Sequence, residues 1–378
     1  MAFFKATIMI INKKIDKMKS VFSRTPSAPL IDTKKDHIEI TMHDPMTNAF
    51  TISVVIPTLN EEKHIEMCLN SLFCQTYYSN IIEIFIVDGG SSDSTLEIVK
   101  RIRSNHSNIT ILNNIKKIQS AAFNIGIDNF KGDLLIRLDA HCTYNPNYIQ
   151  YCAQYHSSYG YGNVGGKCSI EPGANTNMAK IIALVSASTF GLGFAAFRVG
   201  KKITLTDTVP FGSFTKKVLN DVGKMNESLP RGEDNEFNAR IRKHGYKILF
   251  DPKIISHYYG SADLSSFLRK FFTNGFSIGI LLRISKSSVS FRHIVPFAYL
   301  LVLCAGISLS FYYSFFKYSL LLLITVYFIL VLISAAKRFS KYKIRFIPIY
   351  IYVIFLVHLY YGIGTLLGFI KGKYDNKA

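Results

Sequence analysis

Apolar and polar positions alternate through residues 51–141 in short blocks that predict strands and helices in turn. An apolar run at 52–56 is halted by Pro57, and residues 61–74 then repeat apolar side chains with helical spacing. Further strands are predicted at 81–87, 109–112 and 133–139, with helices ending at 103 and spanning 118–128. Because strands that alternate with helices at this spacing join through right-handed crossovers, we expect an α/β fold with a mainly parallel sheet.

This regular alternation stops near residue 142. The elements from 142 to 263 are shorter, with a glycine-rich stretch at 191–200 and a charged helix predicted over 233–244, so we expect a mixed sub-domain. Residues 263–293 mix phenylalanine, leucine and isoleucine with arginine and lysine. That mixture is typical of amphipathic helices in the headgroup zone of a membrane, so we expect interfacial helices here.

Three apolar stretches follow at 294–316, 318–336 and 346–370, and each is long enough to span a bilayer. Only Lys317 separates the first two, which predicts a tight hairpin, and a short tail follows at 371–378. Pro348 and glycines 362, 364 and 368 leave room for a kinked or re-entrant third segment. The basic loop at 337–345 favours the cytoplasmic side, so we expect a multi-pass protein of the cytoplasmic membrane whose soluble half faces the cytoplasm.

The formal net charge of the chain is +19, and basic residues crowd the flanks of the apolar stretches. This arrangement favours anionic membrane lipid as a partner. Zinc-finger spacing and RNA-binding aromatic motifs are missing from the sequence, so we do not expect nucleic acid as a partner. Residues 1–49 carry a lysine inside their short apolar start, and we expect a variable lead-in there, not a secretory signal.

Asp139 and His141 stand at the end of the strand predicted at 133–139. In an open α/β sheet, ligands bind beyond the carboxyl ends of the strands, and a carboxylate with an imidazole can hold a metal ion there. A plainer interpretation is that Asp139 caps the next turn and His141 pairs on the surface. These two residues alone leave both interpretations open.

Four motifs occur in order along residues 51–260, namely VVIPTLNEE at 54–62, VDGGSSDST at 87–95, LDAH at 138–141 and GEDNEF at 232–237. Together they resemble family 2 inverting glycosyltransferases. The LDAH variant, with FGLGFAAFR at 190–198 and TVPFGSF at 208–214, is similar to the succinoglycan-synthesis branch, which builds bacterial surface polysaccharide on a lipid carrier. The resemblance implies a GT-A fold over 51–260 that binds a nucleoside-diphosphate sugar.

The resemblance also implies which residues contact the sugar donor. They are Pro57, Thr58, Asn60 and Glu61 for the base and ribose, Asp88 for the base, and Asn124 for the diphosphate and sugar. Asp93 matches the family motif as well, but a helix N-cap explains it, and we favour that structural role.

At Asp139 the resemblance implies a divalent metal that neutralises the departing nucleoside diphosphate. Mn²⁺ or Mg²⁺ is the expected ion. The family usually has a second aspartate where this chain has His141. Because a nitrogen ligand there replaces a hard oxygen, manganese is favoured over magnesium. Direct contact of His141 with the diphosphate, without metal, is the alternative.

Inverting transfer needs a base that takes the proton of the acceptor hydroxyl. The family match gives this role to Asp234, with Glu233 beside it as a substrate-binding residue, and both acids open a predicted helix. The structural alternative is that both acids are simply acidic residues at the start of a helix, without a catalytic role. Arg198 could lie on a mobile flap and bind a lipid-linked pyrophosphate of the acceptor. An ordinary surface loop is an equal alternative. For His257, a structural role is favoured over a ligand role.

We therefore expect a membrane-attached enzyme that adds one sugar to a lipid-linked saccharide. A processive polysaccharide synthase is the nearest alternative. Such synthases carry a Gln-x-x-Arg-Trp motif, whereas this chain has no tryptophan and has RKFFTNG at 269–275 in the comparable place. A non-catalytic membrane subunit with a nucleotide-binding fold is the third possibility. The presence of both a candidate metal ligand, Asp139, and a candidate base, Asp234, argues against it.

Overall fold

The computed structural model describes residues 50–193, 195–229, 231–339 and 341–372. The lead-in predicted at 1–49 and residues 373–378 of the tail lie outside the described residues.

The first half of the sheet follows the predicted alternation of strands and helices. Four parallel strands lie in the order β3-β2-β1-β4, namely β1 (Ile52–Thr58), β2 (Ile81–Asp88), β3 (Ile109–Asn113) and β4 (Leu134–Arg137). The connecting helices are α1 (Ile65–Phe73), α2 (Thr95–Arg103) and α3 (Gln119–Asn129). Strands covered on both faces read as nearly continuous apolar runs, and Val54, Val55 and Ile56 of β1 are all fully buried.

The second half of the sheet is mixed. It adds β5 (Cys142–Tyr144), β6 (Asn163–Glu171), β7 (Thr204–Leu205), β8 (Ser213–Thr215) and β9 (Ile248–Tyr259), in the order β4-β8-β6-β9-β5 with β7 paired to β9. Here β8 runs antiparallel to β4 and β6, while β6 and β9 are parallel. The α/β class is thus confirmed, and the parallel pairing is confined to β1–β4 and to the β6–β9 pair.

Six further helices accompany the second half of the sheet. They are α4 (Tyr148–Tyr159), α5 (Asn177–Ser186), α6 (Thr189–Leu192), α7 (Ala196–Val199), α8 (Lys216–Val222) and α9 (Glu233–Lys243). The charged helix predicted over 233–244 corresponds to α9.

Four long helices end the described chain, namely α10 (Leu264–Ile284), α11 (Phe291–Ser310), α12 (Ser314–Ala336) and α13 (Ile347–Lys371). Three segments, Phe291–Ser310, Ser314–Ala336 and Ile344–Lys371, are long and apolar enough to cross a membrane. The first predicted span was placed too late in the chain. Its hairpin turn lies at 311–313, and Lys317 belongs to the first turn of α12.

Glycines join α10 to α13. A Cβ added at Gly275 would lie 2.2 Å from the Tyr361 carbonyl oxygen, and one at Gly368 would lie 1.9 Å from that of Phe276. Backbones approach this closely only where small residues face each other. The glycines at 275 and 368 therefore serve the packing of α10 on α13, and the third apolar stretch lies in one continuous helix.

The segment predicted as interfacial helices over 263–293 differs from expectation as well. Most of it is the single helix α10, and its side chains Phe267, Phe271 and Leu281 are buried. Phe267 and Phe271 pack in one apolar cluster with residues of α5 and α13. The apolar residues of α10 are thus covered by protein.

Candidate active site

A cavity of about 980 Å³ lies beyond the end of β4. Five of the residues singled out in the sequence border it: Asp139, His141, Arg198, Glu233 and Asp234. The cavity continues between α11, α12 and α13, where Tyr299, Leu330 and Val357 are among its wall residues. The acidic residues and the apolar helices therefore face a common space.

Arg137, the last residue of β4, links two of the acids. The residue is 3% exposed, and its guanidinium forms an ion pair with Asp234 Oδ1. Its Nη2 also lies 3.5 Å from Asp139 Oδ1 and donates a 3.3 Å hydrogen bond to Gln119 Oε1. Burial alone lowers the pKa of an arginine, but the charges of Asp234 and Asp139 raise that of Arg137. One buried cation thus fixes two carboxylates that are far apart in sequence.

Asp139 sits in a tight turn. The strand predicted to run into it ends at Arg137, and the Cys142 N–H donates to the Asp139 carbonyl at 3.2 Å. The Tyr144 hydroxyl accepts from the Asp139 N–H at 2.7 Å and donates to its carbonyl at 3.3 Å. Asp139 and His141 therefore lie at a turn, two and four residues beyond the end of the strand that was predicted to reach Asp139.

The side chain of Asp139 has an open acceptor. Its Oδ1 is buried and has no hydrogen-bond partner in the described part of the chain, although the Arg137 guanidinium lies 3.5 Å away. Buried polar atoms are nearly always paired, so an orphaned carboxylate oxygen indicates a place for a ligand or an ion.

His141 is held by Glu61. The Nδ1 atom of His141 lies 2.8 Å from Glu61 Oε1, which leaves Nε2 as the other ring nitrogen. Burial works against ionised Glu61, but hydrogen bonds with His141 and His64 lower its pKa to about 2. Glu61 itself does not border the cavity. A carboxylate behind an imidazole is the usual support of a metal-binding histidine.

Asp234 and Glu233 differ in environment although they are adjacent at the start of α9. Asp234 is partly exposed to the cavity, and within the described ranges its hydrogen bonds involve only Oδ1. Glu233 is 7% exposed, and burial together with the charge of Asp234 raises its pKa. Gly232 precedes both with φ +80°, a conformation that side-chain-bearing residues rarely adopt. Its turn brings the two acids to the cavity.

The loops after β1 and β2 are locked to each other. Asp88 accepts hydrogen bonds from the N–H groups of Gly90 (2.8 Å) and Ser91 (3.0 Å) and from the Ser91 hydroxyl (2.6 Å). Asn60 Oδ1 accepts from the Ser92 N–H at 2.8 Å. Pro57 and Thr58 lie at the end of β1, in register with β2. None of Pro57, Thr58, Asn60 and Asp88 borders the cavity.

Three other residues singled out in the sequence have structural partners. Asn124 donates to the Met225 carbonyl and to Glu227 Oε1, accepts from the Met225 N–H, and does not border the cavity. Asp93 accepts from the Thr95 N–H and hydroxyl. His257 has Glu171 Oε1 and Asn145 Oδ1 at its two ring nitrogens. Asn124 was expected to contact substrate, whereas the structure uses its whole amide to hold the loop at 225–227.

Sequence reasoning missed Arg137, Arg231 and Lys270, all of which border the cavity. A signal existed for Arg137, since a charged residue interrupts the apolar run LLIRL at 134–138. Lys270 was hidden among the basic residues that were taken for a membrane-surface helix.

Comparison with known proteins agrees with the motifs. The family model for glycosyl transferase family 2 matches residues 53–223. The chain is 30% identical over 336 residues, 85% of its length and 98% of the relative, to the dolichyl N-acetyl-alpha-D-glucosaminyl phosphate 3-beta-D-2,3-diacetamido-2,3-dideoxy-beta-D-glucuronosyltransferase of Methanococcus voltae. It is also 30% identical to the succinoglycan biosynthesis protein ExoA of Rhizobium meliloti, over 61% of this chain and 70% of ExoA.

The fold has a solved counterpart. The mannosyltransferase PcManGT from Pyrobaculum calidifontis, determined in complex with GDP-Man and Mn²⁺, aligns with a TM-score of 0.56 at 15% identity, over 86% of this chain and 89% of that one. This likeness supports the GT-A fold and, at such low identity, nothing more specific. The family match, the near full-length relative and the fold together establish that the chain belongs to the family 2 glycosyltransferases.

Proposed function

We propose that this glycosyltransferase inverts the anomeric carbon as it moves a sugar from a nucleoside-diphosphate donor to a lipid-linked saccharide. The observation that carries this proposal is the cavity shared by Asp139 and Asp234, which continues between the apolar helices α11, α12 and α13. Catalytic acids at one end and apolar walls at the other suit an acceptor that is part sugar and part lipid.

Asp234 is the base in this proposal. In inverting transfer, the base takes the proton of the acceptor hydroxyl as that oxygen attacks the anomeric carbon from the side opposite the leaving diphosphate. Arg137 holds Asp234 Oδ1, so Oδ2 is the oxygen available for that proton. The neighbouring Glu233 binds substrate and lies deeper, with a raised pKa. Fixing the base in this way keeps it oriented before the substrate arrives.

Asp139 and His141 would hold a divalent cation, Mn²⁺ or Mg²⁺. Their fit rests on the orphaned Asp139 Oδ1 and on the support of His141 by Glu61. Within the described residues no group of three or more His, Cys, Asp or Glu side chains could hold a metal, so the diphosphate and water would complete the coordination. When bound, such an ion neutralises charge that develops on the leaving diphosphate.

The loops after β1 and β2 would hold the nucleoside. Pro57, Thr58, Asn60 and Asp88 stand at the carboxyl ends of these strands, where open α/β sheets bind nucleotides. Asn60 joins the two loops and Asp88 fixes the turn after β2, so their role in the proposal includes shaping the base pocket. The Glu61 carboxylate, expected at the ribose, is assigned instead to orienting His141.

The membrane setting is part of the proposal. The Methanococcus voltae relative is named for action on a dolichyl-linked sugar phosphate, and ExoA is named for succinoglycan biosynthesis. By likeness we place this enzyme in polysaccharide biosynthesis at the cytoplasmic membrane. The basic loop at 337–345 favours the cytoplasmic face and contact with anionic lipid.

The test uses membranes that hold the full chain, a panel of nucleotide sugars with Mn²⁺ or Mg²⁺, and lipid-linked saccharide acceptors. We expect one product, longer by a single sugar and of inverted anomeric configuration by NMR. Asp234→Asn should reduce the rate about 10²–10⁴-fold, whereas Asp221→Asn, an exposed acid outside the cavity, should not. A ladder of long products would support a processive synthase, and normal transfer by folded Asp234→Asn would refute the assigned base.

A further inference from the structure

Three basic residues border the cavity on the side of α10. Arg198 comes from α7, Arg231 directly precedes Gly232, and Lys270 lies on α10. In the part of the chain that the structure describes, none of the three forms an ion pair with a carboxylate. Arg292, which also borders the cavity, differs in this respect because it pairs with Asp207 at 2.7 Å. Among the described residues the cavity thus contains a cationic cluster, Arg198, Arg231 and Lys270, without a carboxylate in ion-pair contact.

Lys270 is the member of the cationic cluster with the clearest setting. Its ammonium donates to the Tyr258 hydroxyl and lies 4.7 Å from the centre of that ring. Burial and then repulsion from Arg231 and Arg198 lower the pKa of Lys270 to about 8. Like charges held together in a buried place are costly unless an anion compensates them.

Tyr258 contacts both the cationic cluster and one of the proposed metal ligands. Its ring centre lies 4.7 Å from that of His141, on which the donor diphosphate depends in the proposed function. Lys270 contacts the same ring, and Arg231 acts on Tyr258 electrostatically, so the cations adjoin this tyrosine. This arrangement favours a second anion in the cavity, distinct from the diphosphate of the donor.

The apolar part of the cavity reaches α12, much of whose surface is exposed. Val326 and Leu330 border the cavity and yet are 45% and 44% exposed. Phe267 and Phe271 of α10 line the wall near Lys270. Because α12 is long enough to cross a membrane, an opening beside Val326 and Leu330 would give an apolar chain a route from the lipid phase to the cationic cluster.

We propose that Lys270, Arg231 and Arg198 bind the phosphate of the lipid-linked acceptor, while the opening at Val326 and Leu330 admits the first part of its apolar chain. The inference rests on the proposed function and identifies the acceptor as a lipid phosphate. Charge complementarity selects an anion, and the apolar wall selects a lipid. With the phosphate held there, the attached sugar would extend toward Asp234.

Binding to the purified full chain in detergent, measured by calorimetry, tests the site without turnover. The probes are farnesyl phosphate, farnesol, inorganic phosphate, and UDP or GDP. We expect farnesyl phosphate to bind more tightly than farnesol or inorganic phosphate alone. Lys270→Gln and Arg231→Gln should each weaken farnesyl phosphate roughly tenfold, which is the usual loss for a charge-assisted hydrogen bond.

Matched variants give the controls. Arg269→Gln removes an exposed neighbour of Lys270 that does not border the cavity, and it should leave binding unchanged. Lys270→Arg should retain most of the affinity. Leu330→Phe should weaken farnesyl phosphate and spare inorganic phosphate, whereas Ile329→Phe, exposed on α12 outside the cavity, should affect neither. Thermal unfolding of each variant checks its folding.

Two outcomes would overturn the inference. One is unchanged farnesyl phosphate affinity in Lys270→Gln and Arg231→Gln. The other is an equal loss of UDP or GDP affinity in these variants, which would assign the cations to the donor. A wild-type chain that binds farnesyl phosphate as expected, but transfers no sugar to any lipid-linked acceptor, would refute the proposed function and leave this binding site standing.

Discussion

The buried Arg137 forms an ion pair with the partly exposed Asp234 across 97 positions of sequence. Arg137 ends β4 and Asp234 opens α9, so the pair joins the parallel half of the sheet to the second half of the domain. The same guanidinium lies near Asp139, which places the candidate base and the candidate metal ligand around one cation. The pair therefore contributes to the stability of the fold and also positions the carboxylates of the site.

Replacing Arg137 by methionine should destabilise the fold by about 1–3 kcal/mol, because it leaves the buried Asp139 and the partly exposed Asp234 without a countercharge. Transfer activity should fall as well, since Asp234 loses its fixed orientation. Arg137→Lys keeps the charge but not the forked geometry, and we expect an intermediate effect. Chemical denaturation in detergent measures the first effect, and the initial rate measures the second.

Arg101→Ala is the control for that series. Arg101 pairs with Glu66 at 2.9 Å on the surface, and both side chains are at least half exposed. Exposed pairs contribute about 0–1 kcal/mol. A loss at Arg101 as large as that at Arg137 would mean that any arginine removal destabilises this chain, and the special role of the Arg137 pair would be disproved.

Glu61→Gln should weaken metal binding about 10–100-fold without removing a metal ligand, because the carboxylate behind His141 fixes the ring and raises its basicity. Calorimetric titration of Mn²⁺ in the presence of a nucleoside diphosphate measures this directly. Glu66→Gln, an exposed acid on α1, serves as the comparison. Equal Mn²⁺ affinity in wild type and Glu61→Gln would argue that His141 contacts no metal.

The strands and helices in the first half of the fold could be predicted from the sequence because local apolar patterns mark them. Apolar runs that end at Pro57 and Asp88 predicted β1 and β2, and helical spacing predicted α1. The second half was not readable in the same way. Whether β8 lies between β4 and β6 depends on contacts between distant segments, and short strands carry little periodicity.

The hydrogen bonds between residues of the site could not be predicted either, because they join positions that are far apart in sequence. Motif resemblance placed Glu61 and His141 in the site, but their hydrogen bond spans 80 positions, and no local pattern encodes it. Resemblance likewise suggested substrate contact for Asn124, whereas its amide geometry fits the backbone at Met225. The glycines of α13 were interpreted as breakers because the partner helix that needs them, α10, was expected to lie apart.

Gly368→Ala should separate α10 from α13. The added Cβ would lie 1.9 Å from the Phe276 carbonyl oxygen. This oxygen belongs to the backbone of α10, which cannot rotate away as a flexible side chain can. Overpacking of this kind costs about 1–3 kcal/mol. Gly306→Ala on α11 is the matched control, since its Cβ would meet only the flexible Leu320 side chain at 3.2 Å. Thermal unfolding should therefore occur earlier for Gly368→Ala and stay close to wild type for Gly306→Ala.

Acceptor use should weaken as the pH rises through about 8. Lys270 has its pKa lowered to about 8, so it is charged below that pH and neutral above it, and a neutral amine binds phosphate poorly. The titratable or charged groups that act on Lys270 are Arg231, Arg198, Asp139 and Cys168, with Tyr258 in direct contact. Arginine stays protonated throughout this range, and burial raises the pKa of Cys168 to about 11 and that of Tyr258 still further.

Lysine 270 is therefore the group in that set expected to titrate near pH 8. The ratio kcat/KM for the lipid-linked acceptor reports groups of the free enzyme, so it should decline with an inflection near pH 8. In Lys270→Arg the charge persists at every accessible pH, and the alkaline decline should disappear. The pH profile of KM for the nucleotide sugar is the internal control and should be the same in both proteins. If Lys270→Arg keeps the inflection at pH 8, another group causes it, and the acceptor phosphate does not depend on the charge of Lys270.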